Sequence, residues 1–165
     1  MNVIRWLDQH LEEFILGLLL VLISCVMLLQ VFMRYVVGAS LSWAEEFCRY
    51  LFVWSSLLSI GDSIRKKTIL RVDSLVEAMP LRIKRWFRIA IEVVVLVFFL
   101  YLFIKAIPVV EMIRKSGQRS PAMEIPMYLV YLSAIVGFFL AVIRSIQSLI
   151  EMVKNFYFNN LETGK

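Results

Sequence analysis

The sequence predicts an all-α integral membrane protein of four transmembrane helices, with a short cytoplasmic-face amphipathic helix between helices two and three. Three observations carry this reading. Hydrophobic residues make up 61% of the 165 and charged residues only 19%, against about 45–50% and about 25% in ordinary soluble domains. The mean hydropathy is +0.79. Uncharged runs close to the ~20 residues that cross a bilayer core as a helix recur along the chain. A soluble domain of this size has too little interior to hide so much apolar surface. Disorder needs the opposite composition.

The first span is expected at about 14–36. Residues 14–33 carry no charge, and Arg34 closes the run. Asp8, Glu12 and Glu13 against a lone Arg5 make this flank too acidic, and the run too long, for a cleaved signal peptide. The second span is expected at 41–64, with an uncharged centre at 50–61 and Glu45, Glu46, Arg49 and Asp62 towards its ends. The third, 87–110, contains Glu92 and Lys105, and the fourth, 126–146, is uncharged over 127–143 up to Arg144. Together they predict one membrane domain over 1–154, followed by a flexible tail at 155–165.

Topology follows from the basic residues at and beyond the ends of the spans. Arg5, the eight Lys and Arg from Arg65 to Arg88, and Arg144, Lys154 and Lys165 put twelve on one side. Arg34, Arg114, Lys115 and Arg119 put four on the other. Both termini and the middle loop are therefore expected in the cytoplasm. In that loop Val72, Leu75, Val76 and Met79 fall at the i, i+3, i+4, i+7 spacing of an apolar helical stripe. Pro80 ends it. Arg82, Lys84, Arg85, Trp86 and Arg88 then form the expected membrane-anchoring base of span three, their long stems lying along lipid.

Ionisable and polar groups within the spans are the functional candidates. Ser42-Trp43-Ala44-Glu45 matches a capping box. Glu45 and Arg49 stand at i, i+4 in the favourable order, which leaves Glu46 freer to meet a partner. Arg34, Trp43, Glu45, Glu46 and Arg49, with the small residues Ser55, Ser56 and Ser59, are the candidate partner interface. Asp62 is expected to pair locally with Arg65 and Lys66. Lys105 is within reach of Glu111 or Glu124. In span one only Ser24 and Gln30 are strongly polar.

Several chemistries lack their residues. The single histidine, His10, precedes the first span, which excludes a bis-histidine haem. Cys25 and Cys48 stand apart with no CxxC pair, so both read as small buried apolar residues, and neither a zinc site nor a thiol oxidase is supported. No catalytic, cofactor-binding or metal-ligating set is present, and the chain reads as no enzyme. The net charge of +5 sits between apolar runs, so its acidic partner is the lipid bilayer and not nucleic acid. With so few polar groups at mid-depth, four helices make a poor transport path alone. An accessory subunit of a membrane complex is expected; a self-sufficient homo-oligomeric transporter is the alternative.

Several patterns recur in a recognisable order: Arg34-Tyr35, then Leu41-Ser42-Trp43-Ala44-Glu45-Glu46-Phe47-Cys48-Arg49-Tyr50, then Arg65-Lys66, Val72-Asp73, Met79-Pro80 and Ser120-Pro121-Ala122-Met123-Glu124-Ile125-Pro126. In these the sequence resembles the small membrane (Q, DctQ-like) subunit of tripartite ATP-independent periplasmic (TRAP) transporters over about residues 1–150. It departs from the family pattern at Ser59, Ile69 and Ile135. The resemblance implies a cofactor-free scaffold subunit in a bacterial inner membrane. It implies a stable heteromer with the large (M) membrane subunit and transient contact with a periplasmic substrate-binding (P) protein. The complex would take up an organic acid with sodium, of the sialic acid or C4-dicarboxylate class.

Overall fold

The structure, a computed structural model, describes the backbone of residues 2–66 and 81–162 and the side chains of 12–66 and 86–154. Four helices account for most of these residues: α1 (Asn2–Phe32), α2 (Ser42–Arg65), α3 (Leu81–Ser116) and α4 (Tyr128–Glu162). At its end α1 widens into a π-helical turn, Met33–Val37. Gly38 stops that turn at φ 75°, a backbone setting that costs glycine little, and its N–H bonds back to the Met33 carbonyl. Pro108 lies inside α3 without ending it. Membrane helices tolerate such a residue because neighbouring groups take up the freed carbonyl.

Three stretches are long and apolar enough to cross a membrane: Glu12–Val37, Trp86–Ser116 and Tyr128–Lys154. The chain is therefore an all-α, multi-pass membrane protein. α2 is the exception. Its 24 residues make about 36 Å at about 1.5 Å each, enough to span. It falls short in apolarity, because Glu45, Glu46, Arg49, Asp62 and Arg65 all lie in it. The expected cytoplasmic-face helix of Val72, Leu75, Val76 and Met79 falls outside the described residues, as do the side chains of Arg82, Lys84 and Arg85. Trp86 is well exposed, and so is Arg88. α4 continues to Glu162, into the stretch where a flexible tail was expected.

Among the described residues the helices pack in a row: α1 along α2, α2 along α4, and α4 along α3. α1 and α2 are antiparallel, as Gln30 opposite Glu45 and Glu13 opposite Arg65 show. α2 and α4 are parallel: Tyr50 lies at Met127, Leu57 at Gly137 and Gly61 at Leu140. The α3–α4 contact is aromatic, with Phe99 on Phe138 at 6.3 Å and Phe103 on Phe139 at 5.8 Å between ring centres.

Lipid offers helices no hydrophobic reason to meet, so close backbone approach must hold the row. α4 supplies it through Ser133, Gly137, Ala141 and Ser145, four small buried residues one turn apart. The serines of α2 do not play that part. Ser55 and Ser59 donate to the Phe52 and Ser56 carbonyls of their own helix, and Ser56 is exposed. A Cβ added at Gly137 would lie 2.7 Å from the Leu57 carbonyl oxygen, whereas one at Gly61 would meet Leu140 at an ordinary 3.5 Å. Gly137→Ala is accordingly expected to cost about 1–3 kcal/mol by overpacking, with Gly61→Ala close to neutral. Thermal unfolding of both variants in detergent measures the difference; equal midpoints would mean that this contact is not what holds α2 to α4.

Candidate functional site

The polar groups of the row gather at its two ends. At the end away from the termini, Glu46 projects from the first turns of α2 towards the loop joining α3 to α4. That loop folds back on itself. Ser120 N–H donates to the Ile125 carbonyl at 2.9 Å, Met127 N–H to the Gln118 carbonyl at 3.0 Å, and Glu124 takes a left-handed φ of 53°. The fold aims two successive amides at one carboxylate oxygen: Ala122 N–H at 2.9 Å and Met123 N–H at 3.0 Å from Glu46 Oε2. Tyr50, one turn on and buried, donates its hydroxyl to Glu46 Oε1. Glu46 is thus a clamp on the loop joining α3 to α4, and the expectation that it stands free for a partner is corrected.

Glu45 also differs from expectation. The residue before α2 is Leu41, and no side-chain hydrogen bond caps the helix, so the Ser42–Glu45 capping box does not form. Glu45 Oε1 instead accepts from Gln30 Nε2 of α1 at 2.9 Å, and Gln30 is buried. One turn further on, the buried Cys48 thiol donates to the Ile23 carbonyl. Cys25, expected to be buried, is exposed. Above these contacts a groove of about 600 Å³ opens between α1 and α2, bordered by Met27, Gln30, Arg34, Glu45, Arg49 and Phe52. Arg34 enters it from the π turn. Among the described residues no ion pair joins Arg34 or Arg49 to a carboxylate. The groove thus unites Arg34, Glu45 and Arg49, whereas Glu46 is turned to the loop and Trp43 packs edge-on against Phe47.

At the opposite end, Asp62 pairs with Arg65 at 2.8 Å and with Lys66 at 2.7 Å, the local pairing expected. Glu13 of α1 joins the same two cations. Asp62 first, and then Glu13, raise the Lys66 ammonium above the ordinary lysine value. A raised lysine value adds stability that is whole below the ordinary value and lost as pH climbs through the raised one, so this part is intact at neutral pH. Beside it Arg144 of α4 reaches Glu12 Oε1 with Nε at 2.9 Å and Nη2 at 2.6 Å, both side chains buried. This α1–α4 pair was not anticipated. The signal was a carboxylate and an arginine each bounding an apolar run on the side where both termini gather. Lys105 reaches neither of its expected carboxylates: it lies over the Tyr101 ring, and Glu111 pairs with Lys115 at 2.7 Å.

Among the described residues no group of His, Cys, Asp and Glu could hold a metal ion. The arrangement is one of carboxylates and cations that tie helices and a loop together. Glu46→Ala is therefore expected to loosen the loop joining α3 to α4 even in the chain purified alone, since it removes two amide bonds and a hydroxyl bond together. Glu45→Ala should loosen it less, since it releases one amide. Limited proteolysis at that loop reads this directly, and equal protection in the two variants would remove the clamp.

Residues 23–155 match the family described as "Tripartite ATP-independent periplasmic transporters, DctQ component". The isethionate TRAP transporter permease protein DctMQ of Oleidesulfovibrio alaskensis is 27% identical over 93% of this chain, which covers 25% of that protein. The sialic acid TRAP transporter permease protein SiaT of Haemophilus influenzae is 32% identical over 54% of the chain and 14% of its own length. The ectoine TRAP transporter small permease protein TeaB of Halomonas elongata is 26% identical over 94% of the chain and 79% of its own length. The chain thus spans a quarter or less of the first two relatives and most of the third. With a family match running from the middle of α1 almost to the end of α4, the chain belongs to the DctQ component family of the TRAP transporters, a membrane component of a transporter and not an enzyme.

Proposed function

We propose that the chain is the small scaffold subunit of a sodium-coupled TRAP transporter in a bacterial inner membrane. In this reading it binds and supports a large membrane subunit, which carries the solute. A periplasmic binding protein delivers an organic acid to that complex and touches this chain only transiently. The observation that carries the reading is the row itself. Glu12, Glu45 and Glu46 are tied to a neighbouring helix or to the loop joining α3 to α4, and the flanking helices α1 and α3 turn large apolar side chains outward along their length. Such a layer suits the flank of a larger bundle, where packing and a few polar bonds decide association.

α2 is the fourth crossing in this proposal. Its polar groups are answered by the outer loop at one end and by Glu13, Arg65 and Lys66 at the other. With four crossings, the excess of basic residues places both termini in the cytoplasm. The solute is an organic acid of the sialic acid or C4-dicarboxylate class; the relatives' names, isethionate, sialic acid and ectoine, are all of small polar solutes with an acidic group.

A tagged chain is expected to co-purify with the large subunit encoded beside it. Solute uptake into vesicles should then require both membrane subunits, the binding protein and a sodium gradient. Flux from this chain reconstituted alone would replace the proposal with a self-sufficient homo-oligomeric transporter. A reporter fused after Lys165 should be active only in its cytoplasm-dependent form; activity of an export-dependent reporter there would overturn the topology.

A further inference from the structure

Arg34 and Arg49 face the groove between α1 and α2 from opposite sides, and Glu45, the carboxylate at its border, is engaged by Gln30. Gln30 is neutral, so Glu45 keeps its charge, and the groove holds two guanidinium groups against one carboxylate, an excess of one positive charge. An arginine is weakly hydrated and planar, and its fork fits a carboxylate in bidentate fashion. Arg34 is presented by a π turn, and such turns are rare and concentrate at functional sites. Below the arginines the groove becomes apolar: Met27 and Phe52 border it, and Phe52 is 64% exposed.

We infer that this groove receives a helix of the large subunit bearing an Asp or Glu at its outer end, with the carboxylate between Arg34 and Arg49 and the adjoining apolar turn against Met27 and Phe52. The inference rests on the scaffold reading above. A shaped protein partner fits better than a lipid because the groove is preformed. The Gln30–Glu45 and Cys48–Ile23 hydrogen bonds fix its two walls to each other. Defined donors above an apolar stretch reward a partner of fixed geometry, and helix association in lipid depends on such packing and polar bonds. In the DctMQ relative the matching segment is part of one much longer polypeptide, which keeps protein at hand for this surface.

The test uses the complex of both membrane subunits in native membranes, with a photoreactive phenylalanine analogue in place of Phe52. Irradiation is expected to join it to the large subunit, at a peptide containing an Asp or Glu. Arg34→Glu with Arg49→Glu should lower co-purification of the large subunit at least about tenfold, as loss of a desolvated charge pair does. Arg34→Lys with Arg49→Lys should lower it less, since lysine keeps the charge without the fork. If the reversal unfolds the chain, Arg34→Gln with Arg49→Gln decides instead: a loss of about threefold or more supports the inference, and unchanged co-purification overturns it. Cross-linking to lipid alone or to a second copy of this chain, or no cross-link, also overturns it. The scaffold reading fails separately, if the wild-type chain does not co-purify with the large subunit at all.

Discussion

The contact of Gly137 with the Leu57 carbonyl is the constraint on which the rest of the row depends. A hydrogen where other residues carry a carbon lets the backbones of α2 and α4 touch. Lipid tails are as apolar as leucine, so this approach, and not burial, is the force available between these helices. Ser133, Ala141 and Ser145 extend it along α4. α1 and α3 are then hung on either side, α1 through the Glu45 and Cys48 contacts and α3 through stacked phenylalanines. The central pair sets the register of both ends: with Leu57 on Gly137, Tyr50 and Glu46 fall at the loop joining α3 to α4, and Gly61 falls beside Leu140 and Arg144.

That register explains why α2 can be the least apolar of the four. Each charged group near its ends is costly in hydrocarbon unless a partner meets it. Glu46 receives two amides and a hydroxyl, Glu45 an amide from Gln30, and Asp62 two cations. The polarity of α2 is thus a property of its neighbours. The same neighbours leave Arg34 and Arg49 at the edge of the groove, facing outward from the row.

Much of the fold was legible in the sequence. The apolar runs located α2, the end of α1 with its π turn and the start of α4 to within two residues, whereas α1 begins twelve residues earlier, α3 runs six further at each end and α4 ends sixteen later. The i, i+3 and i, i+4 spacing foretold Asp62 with Arg65 and Lys66. The tertiary use of each polar group was not legible. Local rules assigned Glu45 to a cap and to Arg49, but Gln30 lies one helix away, and a bond across helices has no signature in local spacing. Glu46 was read as free because the amides that hold it belong to a loop far along the chain. Ser55, Ser56 and Ser59 were read as a contact for a partner helix, while the four-residue spacing of Ser133, Gly137, Ala141 and Ser145, which marks the close contact within the chain, went unread. The groove as a unit could not be read, since it needs the π turn to bring Arg34 opposite Arg49.

The long reach of these bonds has a consequence for how the chain is made. The Glu46 clamp closes on amides 76 and 77 positions later, and Glu12 waits for an arginine 132 positions away. A ribosome delivers α1 and α2 to the insertion machinery well before either partner has been translated. During that interval both carboxylates depend on water, on the translocon or on a proton for company. The nascent hairpin therefore cannot complete its polar contacts until α4 arrives beside it. The fold of the row closes late, through the same two acids.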